Sequence, residues 1–313
     1  MPIVTKKVEI QIVKLTPDEL NFEDLLLSEY LKRPFNHYGK AIQLNYLEDK
    51  GDYLIGVMVT TKKTGIPPKH NTETDEFNPL DLKPTEGLGY ANVFIYDKNL
   101  KILMYEFNKN GTYLTAFIEY INAYCNGQKE FEQFSLHLDP LLNMQTYEKM
   151  LAMRFYKQLE IKIAQPTELI AEYKGTNESV KNTLKLGKES HTDYLTLILN
   201  VNGRRKEGLL DNFVTKYATQ FLGIGKKNED DLIKKFTIKG YEIDQDGENV
   251  PSTIDLITDR YRAEFKIDEP RILQTIQVTE RKGLLIELYK ECKKEFKDIV
   301  KIQGKRKVKK SEN

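Results

Sequence analysis

From Gly87 to Ala164 the spacing of apolar residues switches repeatedly between period two and the helical period, and this alternation constrains the fold more than any motif in the chain. Residues 90–96 and 101–107 alternate around Asp97-Lys98-Asn99, a turn composition, and predict a hairpin. Asn110-Gly111-Thr112 then turns into a helix reaching about residue 124, with Leu114, Phe117, Ile118, Ile121 and Tyr124 on one stripe. Residues 131–138 read as a strand ended by Asp139-Pro140. Asn143 caps a short helix to about residue 153, and 156–164 is a strand stopped by Pro166. Two strands, a helix, a strand, a helix and a strand describe an α+β fold of mixed, largely antiparallel sheets with helices packed on them. That order excludes a βαβαβ parallel core.

The flanks extend the pattern. Residues 3–15 alternate as a strand. Thr16-Pro17-Asp18-Glu19 predicts a helix to about residue 32, with Thr16 as N-cap, Pro17 in the first turn and Glu19 closing a capping box. Residues 41–47 and 53–61 form a hairpin over Asp49-Lys50-Gly51-Asp52, and 65–87, with four prolines, reads as an inserted surface loop. Past Pro166 come a polar helix at 177–188, an apolar strand at 194–201 and a helix at 207–221 ending at Gly223. Residues 234–244 and 253–267 alternate as a hairpin across Asp246-Gly247. The last element, 279–300, carries Leu284, Leu285, Leu288, Tyr289, Cys292 and Phe296 on a stripe wide enough for a core or a partner subunit. The expected organisation is an α+β domain over 1–165, a second α+β domain over 166–278, and a helix with a basic tail over 279–313.

Composition bounds the class. Of 313 residues, 40% are hydrophobic and 10% aromatic, enough to fill a core, and the mean hydropathy of −0.55 is that of a soluble chain. No run resembles an export signal or a membrane span, and Cys125 and Cys292 lie far apart without CxxC spacing, so the expectation is a cytoplasmic protein whose cysteines are packing residues. The net charge of +1 hides an asymmetry. Residues 1–150 hold 16 basic and 21 acidic side chains, residues 151–313 hold 32 and 26, and the surplus gathers from Arg281 onward.

Catalytic patterns are missing. His37, His70, His137 and His191 are scattered without ligand spacing, and no metal or cofactor is expected. The chain has no GxSxG elbow, no phosphate-binding glycine loop and no GxGxxG after a strand; Gly223-Ile224-Gly225 reads as a helix C-cap. Asp244-Gln245-Asp246-Gly247-Glu248 reads as a hairpin turn, since it lacks the later oxygen ligands of a calcium loop. A metal-dependent nuclease reading would gather Glu264 and Lys266 with Asp255 or Asp259, but odd offsets put both aspartates off the face of Glu264 on a regular strand. No catalytic residue is assigned.

Binding residues remain. Arg204, Arg205 and Lys206 stand at a strand-to-helix turn, where they could meet a phosphate backbone or simply keep the turn soluble. Arg260, Arg262 and Lys266 share the polar face of the predicted strand 253–267, and Lys305, Arg306 and Lys307 stand in the C-terminal extension, followed by Lys309 and Lys310. These are the candidate DNA contacts.

The run Gly87-Leu88-Gly89-Tyr90-Ala91-Asn92-Val93-Phe94-Ile95-Tyr96, its following strand and helix, Leu136-His137-Leu138-Asp139-Pro140-Leu141 and the strand 159–164 resemble the corresponding stretch of the RexA-like phage-exclusion proteins of lambda-type prophages. The strand 193–199 with Arg204-Arg205-Lys206 and a helix is similar to that family's apolar strand and basic turn. The likeness covers residues 87–300, and the N-terminal region with its proline loop departs from it. It implies a cytoplasmic homodimer without cofactor that binds double-stranded DNA with little sequence preference, senses phage infection and acts with a small membrane protein encoded alongside. Carried onto this chain, it assigns phosphate contacts to Arg204, Arg205 and Lys206. Two other readings stay open: a nuclease or ribonuclease effector of a similar system, and a scaffold that recruits a protein partner.

Overall fold

The computed structural model describes residues 3–126, 128, 134–172, 178–201, 208, 209, 214, 217, 226–227, 230–243, 248–268 and 278–311. In chain order the elements are β1 (Ile3–Thr16), α1 (Phe22–Leu27), a 3-10 turn (Glu29–Lys32), β2 (Phe35–His37), β3 (Lys40–Asp49), β4 (Tyr53–Lys62), β5 (Lys69–Asn71) and β6 (Glu76–Asn78). There follow β7 (Leu88–Asp97), β8 (Ile102–Glu106), α2 (Leu114–Asn126), β9 (Ser135–Pro140), α3 (Met144–Ala152), β10 (Met153–Ala164), α4 (Pro166–Glu172) and α5 (Glu178–Glu189). The remainder are β11 (Tyr194–Asn200), β12 (Lys226–Lys227), β13 (Asp230–Asp231), β14 (Ile233–Ile243), β15 (Asn249–Asp255), β16 (Arg262–Asp268) and a long helix, α6 (Val278–Ser311). The fold class is α+β, with antiparallel sheets and helices layered on them.

The chain forms two compact units that interleave in sequence. The first comprises Met1–Glu9, Val13–His137 and Ala263–Tyr289, and the second Ile10–Ile12, Leu138–Arg262 and Lys290–Asn313. Residue 165 therefore falls inside the second unit, because β10 pairs with β11 and β14.

In the first unit the strand order is β16-β1-β8-β7-β4-β3-β2, with β9 also on β1. The expected hairpins are present: β3 pairs with β4 and β7 with β8, both antiparallel. The stretch Val93–Tyr96 of β7 and all of β8 are buried, so these central strands are covered on both faces. On one face Phe117 of α2 packs against Phe94 and Tyr105, with ring centroids 5.9 and 5.5 Å away, while Phe22 of α1 meets Tyr96 at 4.9 Å. Gly56 stands opposite Phe94, and a Cβ there would lie 2.2 Å from the ring, so the phenyl group needs a residue without a side chain beneath it.

The other face carries polar groups that meet the start of α6. Tyr289 Oη donates to Asp97 Oδ2 at 2.7 Å, and Asp97 Oδ1 accepts from the backbone N–H groups of Asn99 and Leu100. Arg281 Nη1 lies 3.4 Å from Glu106 Oε1, Glu106 Oε2 accepts from Val93 N–H at 2.9 Å, and both side chains are buried. Burial raises the Glu106 pKa, opposed by the Arg281 charge and the Val93 N–H, and burial lowers that of Arg281. Cys125 is free and buried, its thiol pushed up to about 12 by burial, and Cys292 is free and half-buried, in keeping with packing roles.

Three expectations are corrected. No helix begins at Thr16: β1 runs through it, residues 16–19 are exposed, and α1 starts where Phe22, Leu25 and Leu26 give a helical face something to bury. The proline loop contains a small exposed hairpin, β5 with β6, on which His70 stacks against Phe77 at 4.4 Å. The predicted strand 253–267 is two strands in different sheets. Asp255 Oδ1 accepts from the backbone N–H groups of Ile257 and Thr258, and this turn ends β15 and sends β16 to the edge beside β1.

The second unit holds a four-stranded sheet in the order β11-β10-β14-β15, each neighbour antiparallel. Its inner face, with Leu159, Ile161, Ile163, Phe236, Ile238 and Ile254, is fully buried. The helices α3 and α5 pack against these strands, and α4 packs on α5. Asn143 caps α3 as expected, its Oδ1 accepting from Thr146 N–H at 2.9 Å. The buried residues of α4 and α5 include Leu169, Val180 and Leu184.

Candidate nucleic-acid interface

Alternation fixes what the second unit shows to solvent. With Leu195, Leu197 and Leu199 turned inward, Tyr194, Thr196, Ile198 and Asn200 of β11 face out and are exposed. On β10 the same parity turns out Gln158, Glu160 and Lys162, and on β14 it turns out Lys235, Lys239 and Tyr241, with Thr237 on the same face but buried between the two lysines. The register sets these residues in rows. Lys162 pairs with Thr196 on one side and Lys235 on the other, Glu160 pairs with Ile198 and Thr237, Gln158 pairs with Asn200 and Lys239, and Phe155 pairs with Tyr241.

Two features set this face apart from an ordinary solvated sheet. Lys162 and Lys235 are exposed and directly opposite each other, an arrangement in which like charges repel. Glu160 relieves part of the repulsion, its Oε1 2.8 Å from Lys235 Nζ. The cations also lie among rings. Lys162 Nζ stands 5.0 Å over Tyr194, Lys157 Nζ stands 4.6 Å over Phe155, and the Phe155 and Tyr241 centroids are 5.7 Å apart. Tyr194 is 57% and Ile198 48% exposed. Lysines among accessible aromatic rings can meet phosphates and base faces together.

The sequence-predicted contacts fall elsewhere. Arg204, Arg205 and Lys206 lie outside the described residues. Lys305, Arg306 and Lys307 stand on the helical backbone of α6, and their side chains lie outside the described ones. Arg260 does not share a face with Arg262 and Lys266. It precedes β16, bridges to Leu142, and has its Nε and Nη2 atoms buried. Arg262 and Lys266 are exposed on β16, but Glu264 and Asp268 alternate with them on that face, so it is mixed in charge. Among the described residues no three His, Cys, Asp or Glu gather as a group that could hold a metal ion.

Lys162, Lys235, Lys239, Tyr194, Phe155 and Tyr241 were not singled out from sequence. Their period-two placement was readable, but their meeting depends on which strands pair.

A family model described as "Family of unknown function (DUF6731)" matches residues 21–295, and the chain belongs to that family. No curated protein matches the chain. No helix among the described residues is long and apolar enough to cross a membrane.

Proposed function

We propose that this chain is a nucleic-acid-binding protein that holds its ligand by the phosphate backbone without reading bases, and that it binds rather than cleaves. The observation that carries the reading is the outward sheet face of the second unit, where Lys162 and Lys235 oppose each other beside accessible rings and Lys239 stands two rows on. The fold gives up cross-strand stability to place two cations together, and a polyanion returns it by neutralising both. The setting we attach is the one the RexA likeness implies: a cytoplasmic homodimer that senses phage infection and acts with a small membrane protein. That setting rests on the likeness alone.

The test is affinity measured against salt on several unrelated oligonucleotides. Each phosphate neutralised contributes about −0.7 to the slope of log affinity against log salt for a single strand and about −0.9 for a duplex. Replacing Lys162, Lys235 and Lys239 by Ala is therefore expected to flatten the slope by about 2 to 3. Stability should change little, because surface substitutions usually stay within about 0.5 kcal/mol each. Salt-independent binding, one preferred sequence, or no binding to any oligonucleotide at low salt would overturn the reading.

A further inference from the structure

We infer that the polymer taken by this face is single-stranded, its bases stacking on Phe155 and Tyr241 at one end and on Tyr194 at the other while its phosphates pass Lys239, Lys235 and Lys162. The inference rests on the nucleic-acid reading above and names the polymer, departing from the duplex that the RexA likeness implies.

The rings stand where a single strand would use them. Phe155 and Tyr241 are cross-strand partners, and both are partly accessible on the outer face. Tyr194 stands on the edge strand opposite Ala164, at the far end of β10. The stretch of β10 between these two ring sites spans about 25–30 Å at ~3.3 Å per residue, a length matched to binding sites of about 4–16 nucleotides. The three lysines lie between the ring sites, so phosphates and bases can be engaged along one path.

A duplex cannot use the same groups. Its base faces are stacked inside, so the rings would meet only sugar and phosphate. The sheet cannot enter a groove either. Four strands about 4.8 Å apart are about 14 Å wide before side chains are added, against a major groove of about 12 Å that admits a two-stranded ribbon.

In the free protein the lysines occupy the ring faces, Lys162 over Tyr194 and Lys157 over Phe155. Incoming phosphates draw the ammonium groups aside and expose the rings to bases. Lys235 makes a similar exchange, leaving Glu160 for phosphate.

The experiment compares fluorescein-labelled oligothymidylate and oligouridylate of about 15 nucleotides with a duplex of equal length at low salt. The proteins are wild type, Tyr194→Ala, Tyr241→Ala and Tyr241→Phe, each with its thermal midpoint recorded. Tyr194 is more than half exposed on an edge strand, so its alanine variant is expected to melt with wild type. Single strands should bind at least about 10-fold more tightly than duplex. Each alanine variant should lose about 5- to 150-fold in single-strand affinity, the range of one stacked base, and Tyr241→Phe should retain it. Equal affinity for duplex, or alanine variants that bind like wild type, would overturn the single-strand inference while a steep salt slope leaves the backbone reading standing. No binding to any of the three probes would overturn both.

Discussion

Replacing Arg281 by Met is expected to destabilise the protein by about 3–5 kcal/mol at neutral pH, the usual consequence of removing one partner from a buried ion pair. Glu106 is fully buried, and the Arg281 charge is the main influence that lowers its pKa against the desolvation that raises it. Without the guanidinium the carboxylate keeps one charge-stabilising donor, Val93 N–H. Ala91 O, which Arg281 Nη2 also contacts, keeps Asn108 Nδ2 at 2.9 Å, so the carboxylate carries most of the loss. The pH dependence follows from the sign of the shift. The folded-state pKa of Glu106 lies above the ordinary value of 4.5 and rises further in the variant, so folding favours the protonated acid. The variant's deficit should be small below the unfolded pKa, where both states are protonated, and should grow as pH rises through the folded pKa. Urea titrations at several pH values, followed by tyrosine fluorescence since the chain has 18 Tyr and no Trp, check both points. Adding Glu106→Gln to Arg281→Met should recover most of the loss. A deficit equal at all pH values, or a double variant no better than the single, would show that the pair is not the source.

Phe117→Ala is expected to lower stability by a similar amount, about 3–5 kcal/mol, through a cavity beneath the first unit's sheet. Phe117 is fully buried and its ring meets Phe22, Phe94 and Tyr105 at 6.4, 5.9 and 5.5 Å. Aromatic pairs add about 0.5–1.5 kcal/mol beyond burial, so Phe117→Leu should fall between the alanine variant and wild type. The loss should appear as a lower urea midpoint, because the defect lies in the native state. A change below about 1 kcal/mol would mean that α2 does not seal this face.

Two local signals in the sequence were faithful. The turn at Asp97-Lys98-Asn99 closes β7 on β8, with Asp97 Oδ1 accepting from the two N–H groups that follow it, and Asn143 caps α3 through its own side chain. The Thr16 signal failed because a capping box describes hydrogen bonds, whereas a short helix in a protein forms where its apolar face can be buried. The run 253–267 failed for a related reason. Alternation persists across Asp255, but period two does not say which sheet a strand joins, and an Asx turn divides the run between two.

The candidate site was the least legible part. Each of Lys162, Lys235 and Tyr194 reads alone as an ordinary outward residue of a strand. Their significance comes from pairings between segments far apart in the chain, β10 with β11 and β14, which bring two lysines opposite each other and set a ring beside them. The basic turn and tail stand out in a linear scan because their charges are adjacent in sequence, whereas the sheet face gathers its charges by register.

The central claim is that nucleic acid lies on this sheet face, and photo-crosslinking tests it most directly. The full chain would be bound to a halogenated oligouridylate at low salt, irradiated and digested, and the modified residues mapped by mass spectrometry. Aromatic side chains that stack on bases are the groups positioned to react, so adducts are expected on Phe155, Tyr241 and Tyr194 and should fade as salt rises. Adducts confined to residues 204–206 or 305–310, with none on β10, β11 or β14, would contradict the account.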